Sequence, residues 1–232
     1  CPLLLPEKRH FKFDAGLYKE LLGQGISMGL MSAIVSAGTV ILQSAINDLG
    51  YLTIAGHTAA RKVNSFCVMP ISCVSFALST FVSQNYGAGQ GARIRKGVRY
   101  ANLMCVVCGV LLMGGIWLGA PTLVSFISGS KEAIVLDIGK KYLWFNAPFY
   151  MVLGVLFNLR SSLQAIGRKI LPLISSIIEF VGKVIFVILI IPKLGYWGVI
   201  ICEPVIWCAM TIQLVLAFYT NPYIKEAGKR TA

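Results

Sequence analysis

The stretch QNYGAGQGARIRKGVR, residues 84–99, decides how the chain folds, because it separates two long uncharged segments. No Asp, Glu, Lys or Arg occurs in residues 63–92 or in residues 100–130. An apolar segment of about 18 or more residues without charge predicts a membrane-spanning helix. The stretch is therefore predicted to be a hairpin loop between two spans, and its cations, with no acid among them, place it on the cytoplasmic face. The residues of this predicted loop that carry the argument are Gln84, Asn85, Gly87, Arg93, Arg95, Lys96 and Arg99.

The composition indicates an integral membrane protein. Of 232 residues, 56% are hydrophobic and 13% are charged, whereas a soluble domain carries about 25% charged residues. The net charge of +12 would suggest nucleic acid as a partner of a soluble chain. Here the cations flank apolar runs, so we expect contacts with membrane lipids and no nucleic-acid partner. The sequence starts with Cys1 and has no signal peptide, and we therefore expect it to be a piece of a longer protein.

Apolar runs between turn residues predict six spans and hence an all-α membrane fold. Span one is rich in Gly and Ser, which favours close packing against other helices in lipid. Pro121 is predicted to open an exterior loop that continues through residues 128–130, and residues 192–195 are predicted to form a short exterior turn. The predicted spans cover residues 21–47, 52–84, 100–117, 141–163, 171–191 and 196–219.

The distribution of Lys and Arg supports a topology with both ends in the cytoplasm. We expect the protein to lie in the plasma membrane. The predicted cytoplasmic segments hold most of the 21 basic residues, namely Lys8, Arg9, Lys12, Lys19, Arg93, Arg95, Lys96, Arg99, Arg160, Arg168, Lys169, Lys225, Lys229 and Arg230. The predicted exterior segments hold only Lys131, Lys140, Lys141 and Lys193. Residues 1–20 are predicted to be a cytoplasmic linker or surface helix, residues 21–219 a six-helix lobe and residues 220–232 a cytoplasmic tail.

Ionisable residues within spans are the first candidates for a functional site, because they face a protein interior or a water-filled cavity by default. Glu179 and Lys183 are four residues apart on span five and share a helix face. They form either a structural ion pair or part of a substrate or proton path. Glu203 on span six is either a cavity carboxylate or a group that caps a kink. Arg61 on span two either bonds helix carbonyls or Glu203, or contacts substrate, and Asn64 shares its face.

Three prolines inside spans are predicted to kink their helices, because each removes an intrahelical hydrogen bond. Bulky side chains near them are candidates to line an adaptable cavity, although ordinary packing is the competing interpretation. The prolines are Pro70, Pro148 and Pro204, and the side chains are Phe66, Met69, Phe145, Phe149 and Tyr150.

Several chemistries have little support in the sequence. His10 and His57 are the only histidines, so no multi-histidine metal site is expected. Cys105 and Cys108 form a C-x-x-C without a second pair at metal spacing, which favours two buried thiols. We expect no catalytic residues and no cofactor.

Three segments resemble the multidrug and toxic compound extrusion (MATE) transporters. They are AGHTAARKVNSF (residues 55–66), FALSTFVSQNYGAGQGARIRKGVRYA (76–101) and YLWFNAPFYMVLGVLFNLRSSLQAIGRKILPLISSIIEF (142–180). The resemblance covers essentially residues 21–219 and is to the C-terminal half of the family. It implies one six-helix lobe of a twelve-helix, two-lobe transporter whose substrate cavity lies between the lobes.

The resemblance also implies a function and a partner. MATE transporters exchange cationic, amphipathic compounds outward for Na⁺ or H⁺. NorM-like members carry acidic coupling residues in the helices that correspond to spans one and four. Residues 21–47 and 141–163 contain no acid, which favours a branch with its coupling carboxylates in the missing N-terminal lobe.

Other functions remain open from the sequence. A lipid-linked oligosaccharide flippase of the same superfamily would need a cationic cavity, which Arg61 and Lys183 make possible. A membrane-embedded enzyme is disfavoured because there is no cluster of His or Asp residues. A third possibility is a fragment that does not function without its other lobe.

Overall fold

The computed structural model describes residues 14–229, and all the regular elements of that part of the chain are helical. Two spans are each built from more than one helical piece. A 3₁₀ turn (Ala147–Phe149) joins α4 to α5, and a π-helical turn (Phe186–Ile190) joins α6 to α7. In chain order the helices are α1 (Ala15–Asn47), α2 (Tyr51–Gly87), α3 (Gly91–Ser128), α4 (Ala133–Asn146), α5 (Tyr150–Ala165), α6 (Ile170–Ile185), α7 (Ile191–Leu194), α8 (Tyr196–Tyr219) and α9 (Pro222–Lys229).

The prediction of six spans is confirmed. Within residues 14–229, six continuous helical stretches of 24 to 38 residues each contain an 18-residue segment with a mean hydropathy between 1.3 and 2.5. About 20 apolar residues in a helix suffice to cross the hydrocarbon core of a bilayer, so each stretch is long enough to cross it. The spans are α1, α2, α3, α4 with α5, α6 with α7, and α8. The chain is therefore a multi-pass integral membrane protein.

The predicted basic loop at residues 84–99 is wrong in extent, because most of it is helical. Only residues 88–90 connect α2 to α3. Gly89 has φ +69°, a left-handed conformation that ends a helix and that Gly adopts without strain. The N–H of Gln90 then donates to the carbonyl of Asn85 at 2.8 Å. The four cations of the predicted loop lie on the first turns of α3, since Arg and Lys are good helix formers.

The exterior connections are also shorter than predicted. Pro121 lies inside α3, which continues to Ser128 and ends at Gly129 with φ +66°. Residues 192–194 are helical, and the chain turns only at Gly195, with φ +57°. Pro192 lies two residues after the π-helical turn Phe186–Ile190, and a π-helical turn is a common place for a helix to accommodate such an interruption.

Both ends of the described chain are helical. Residues 15–20 are the first turns of α1 rather than a separate surface helix, and the Asp14 carboxylate caps them by accepting from the N–H groups of Gly16 and Leu17. The predicted role of residues 1–13 falls outside the described residues. At the other end the tail forms α9, which packs on α3 and buries Ile224 completely.

Two hydrophobic cores hold the helices together. The larger lies among α2, α3, α5, α8 and α9 and includes Leu159 and Phe218, while the smaller surrounds α4 and includes Leu143. Helix α1 packs mainly on α6, and a Cβ added at Gly38 would lie 3.5 Å from the Phe180 backbone. This close approach is the packing that the small residues of span one predict.

Candidate functional site

A cavity of about 460 Å³ is the main candidate site. Five of the six spans contribute to it, and α3 is the span that does not. Its walls are mostly apolar, with a few polar groups, which is typical of sites for small amphipathic molecules. The lining residues are Val35, Asn64, Ser65, Val68, Met69, Ser72, Leu153, Leu156, Phe157, Arg160, Glu179, Trp207 and Met210.

Glu179 lies at this cavity and is paired with Lys183, as their spacing predicts. The Lys183 ammonium donates to a Glu179 carboxylate oxygen at 2.8 Å and to the Thr39 hydroxyl of α1 at 3.1 Å. The Lys183 side chain is 4% exposed and the Glu179 side chain 13%. The carboxylate therefore has access to the cavity, whereas the ammonium is buried behind it and compensates its charge.

Arg160 is a cavity residue that the sequence reasoning missed. It was counted among the cytoplasmic cations, and in the structure its side chain lines the cavity and donates to the Ser176 hydroxyl of α6. Arg160 falls inside the predicted span 141–163. A charged residue inside a span is expected to face a protein interior or a cavity, so the sequence did indicate this position. The cost of leaving a guanidinium in lipid is avoided because α5 carries it on the face that meets α6 and the cavity.

A second buried polar cluster joins α2, α4 and α8. Arg61 and Tyr142 both donate to the Glu203 carboxylate, Tyr142 to its second oxygen at 2.7 Å. The Arg61 side chain is 36% exposed and the Glu203 side chain 8%. His57 Nδ1 lies 3.2 Å from the Tyr196 hydroxyl beside this cluster. The structure thus joins Arg61 to Glu203, one of the two partners expected for Arg61, and adds Tyr142.

Asn64 lies at the cavity with its side chain held by a partner from another span. The Tyr150 hydroxyl donates to the Asn64 side-chain oxygen at 2.7 Å. Tyr150 is fully buried, so it orients Asn64 rather than lining the cavity. Met69 does line the cavity.

The other candidates for the cavity wall lie elsewhere. Phe66 is 66% exposed and lies outside the cavity. Phe149 stacks on Phe145 with ring centroids 5.9 Å apart, and neither lines the cavity. Both belong to an aromatic group near the α4–α5 junction, where packing is the role that the contacts indicate.

The three prolines differ in their effect on the helix. At Pro148 the α-helical pattern gives way to the 3₁₀ turn between α4 and α5. At Pro70 and Pro204 the helices α2 and α8 continue without interruption. A local change of helix geometry accompanies Pro148 in span four, while kinks at Pro70 and Pro204 and the role of the prolines in motion stay predictions.

A further buried network of hydrogen bonds was not predicted from the sequence. Asn158 of α5 accepts from the Ser75 hydroxyl at 2.7 Å and donates to the Asn102 side chain at 3.0 Å and to the Cys105 sulfur at 3.4 Å. An Asn in the middle of an apolar run was the available signal. The network ties α2, α3 and α5 together.

Within residues 14–229, no three His, Cys, Asp or Glu side chains are close enough together to hold a metal ion.

The fold defines the chain as a six-span membrane lobe with a partly open cavity between its helices. A sequence profile of the MatE family matches residues 28–189, more than half of the chain. The chain therefore belongs to the MatE family. It is 26% identical over 160 residues to the probable multidrug resistance protein YpnP of Bacillus subtilis (strain 168), a match that covers 69% of this chain and 36% of that protein.

Solved structures show the same fold. One is the inward-facing conformation of a multidrug resistance MATE family transporter of the MOP superfamily, with a TM-score of 0.70 and 18% identity over 97% of this chain and 52% of that chain. Another is a MOP superfamily transporter from Pyrococcus furiosus whose binding pocket is described as having reverse polarity, with a TM-score of 0.71 and 12% identity over 87% and 45% of the two chains. The chain thus spans about half the length of these transporters.

Proposed function

We propose that this chain is the C-terminal lobe of a cation-coupled antiporter that exports cationic, amphipathic compounds, including drugs. The cavity formed by five spans is the observation that carries the proposal. Its Met, Phe and Trp side chains fit variable apolar bodies, since Met adapts its shape and aromatic rings provide large contact areas. Glu179 supplies a carboxylate at the same wall.

Export in this proposal follows from a difference in affinity between two states of the two lobes. A bound substrate favours the outward-facing state, a bound Na⁺ or H⁺ favours the inward-facing state, and the two ligands compete. The coupling carboxylates belong to the N-terminal lobe in this proposal, because Glu179 and Glu203, whose side chains are mostly buried among the described spans, are each already paired with a cation. Both ends of the chain lie in the cytoplasm, and the transporter is in the plasma membrane.

An efflux assay with the protein from the full reading frame tests this function. Cells lacking their own exporters should accumulate less ethidium when they express it. In inverted vesicles, uptake should require an imposed Na⁺ or H⁺ gradient, and an ionophore that collapses the coupling gradient should abolish it. Unchanged ethidium accumulation and no gradient-driven uptake of any cationic dye tested would contradict the proposal.

A lipid-linked oligosaccharide flippase is the second candidate, and Arg160 is the observation that favours it. The two cations considered from the sequence do not provide its cationic cavity, because Arg61 is paired with Glu203 and Lys183 with Glu179. Arg160 has no such partner among the residues that the structure describes. Translocation of a pyrophosphate-linked lipid in reconstituted vesicles, without movement of cationic dyes, would select this function instead.

A further inference from the structure

Arg160 lies where two cavities meet. It lines the cavity of about 460 Å³ and also a neighbouring one of about 260 Å³. The smaller cavity is bounded by α2 and α5 and has both hydroxyl groups and aromatic rings in its wall. Its other lining residues are Ser72, Ser75, Phe76, Phe157 and Ser161. A ligand in the main cavity can therefore reach the guanidinium with one end while its body contacts apolar groups.

The charges at the main cavity are of both signs, and among the described residues only Glu179 has an ion-pair partner. Glu179 has the buried ammonium of Lys183 at 2.8 Å. Arg160 has the Ser176 hydroxyl as its hydrogen-bond acceptor, and no ion pair of Arg160 occurs within residues 14–229. A guanidinium has five N–H donors in a planar fork, so donors remain for a ligand at Arg160.

We propose that Arg160 recognises an acidic group on the transported compound, so that this lobe favours zwitterionic amphipaths over purely cationic ones. The acid is a carboxylate, sulfonate or phosphate, which the planar guanidinium binds with two parallel hydrogen bonds. The cationic part of the ligand lies toward Glu179, and its apolar body lies along Trp207 and Met210. This inference rests on the proposed export function and deepens it by assigning a substrate class.

Two of the three serines that line the smaller cavity have acceptors for their hydroxyl protons. Ser72 donates to the Val68 carbonyl and Ser75 to Asn158. Arg160 is the charged donor at both cavities, which makes it the residue whose substitution should change selectivity between acids and their neutral esters. Arg160→Gln removes the charge, and Arg160→Lys keeps the charge but loses the planar fork.

Tetramethylrhodamine and its methyl ester are a matched pair of probes for this site. The two dyes share a cationic aromatic body and differ in one carboxylate. Their binding to the purified full-length protein in neutral-lipid nanodiscs is measured by fluorescence anisotropy. Arg160→Gln should weaken binding of the free acid by on the order of tenfold or more, since hydrogen bonds to charged groups contribute that much, and binding of the ester by less than about twofold.

Control variants separate recognition from folding. Arg168→Gln removes a cation from the exposed α5–α6 connection and should leave the ratio of the two affinities unchanged. Arg160→Lys should give an intermediate ratio. The inference is overturned if Arg160→Gln weakens both dyes equally, because its bond to Ser176 would then be structural, or if it weakens neither. Failure of both dyes to bind the unsubstituted protein would instead contradict the proposed export function.

An anionic lipid headgroup offers the same chemistry as an acidic substrate. Nanodiscs containing phosphatidylglycerol distinguish the two sources. In one outcome, phosphatidylglycerol weakens binding of the free acid to the unsubstituted protein but not to Arg160→Gln. That result would assign the anion site to a lipid and overturn the substrate assignment. Binding of the free acid that is unaffected by phosphatidylglycerol supports recognition of the transported compound.

Discussion

The buried ion pair between Glu179 and Lys183 gives a quantitative prediction. Glu179→Ala removes the carboxylate that accepts from the Lys183 ammonium. The Thr39 hydroxyl then remains as an acceptor for the ammonium. Breaking a buried pair by removing one partner costs about 3 to 5 kcal/mol, because the remaining charge is uncompensated. The Glu179 side chain is 13% exposed at the cavity, so water reaches this end of the pair. We therefore expect the lower end of that range, about 3 kcal/mol.

Removing the second partner should recover most of the unfolding free energy that Glu179→Ala loses. Lys183→Met in the Glu179→Ala background replaces the buried ammonium by an apolar chain of similar length. Replacing a buried ion pair by apolar groups is often neutral or stabilising. The double variant is therefore expected to be more stable than Glu179→Ala alone by about 2 kcal/mol or more, a coupling that a double-mutant cycle isolates.

Thermal unfolding of the purified protein in detergent measures the effect. A change of 1 kcal/mol shifts the midpoint by about 2 to 4 °C in a chain of 150 to 250 residues, so Glu179→Ala should lower Tm by about 6 to 12 °C. The exposed pair of Asp137 and Lys141 is a matched control, since it has the same spacing, at 2.6 Å, with side chains 53% and 46% exposed. Asp137→Ala should cost less than about 1 kcal/mol.

The reasoning is refuted if Glu179→Ala and the double variant lower Tm by the same amount. Equal losses would mean that the Lys183 ammonium is not left uncompensated when the carboxylate is removed. An effect of Asp137→Ala as large as that of Glu179→Ala would also contradict it, because burial would then not be the cause of the difference.

Three further predictions concern packing, the second polar cluster and topology. Gly154→Ala should lower Tm, because the added Cβ would lie 2.6 Å from the Cys105 Cβ, whereas Gly114→Ala, with nothing within 4 Å, should not. Tyr142→Phe removes a hydrogen bond to the buried Glu203 carboxylate and should destabilise the protein by about 1.5 to 3 kcal/mol, measured by the same unfolding assay. A C-terminal tag should be protected from a non-permeant label in intact cells, and its labelling from outside would overturn the cytoplasmic assignment.

The number of spans and the pairing within one helix follow from the sequence. Apolar length alone predicts a membrane helix, because the backbone must satisfy its own hydrogen bonds in lipid. Likewise, the spacing of Glu179 and Lys183 predicts their contact, because residues four apart lie on one helix face. Helix ends are predicted less well: the basic residues after Gly91 belong to α3, since a three-residue turn with a left-handed Gly89 suffices to reverse the chain.

Contacts between helices were decided by the tertiary structure. Arg160 looks like a cytoplasmic topology marker in the sequence, and only the packing of α5 against α6 puts it at the cavity beside Ser176. Tyr142 shows no sign in the sequence of its bond to Glu203, 61 residues away. The physical reason is that hydropathy reports whether a segment enters the bilayer, whereas the direction of each helix face depends on rotations set by side-chain packing among all six spans.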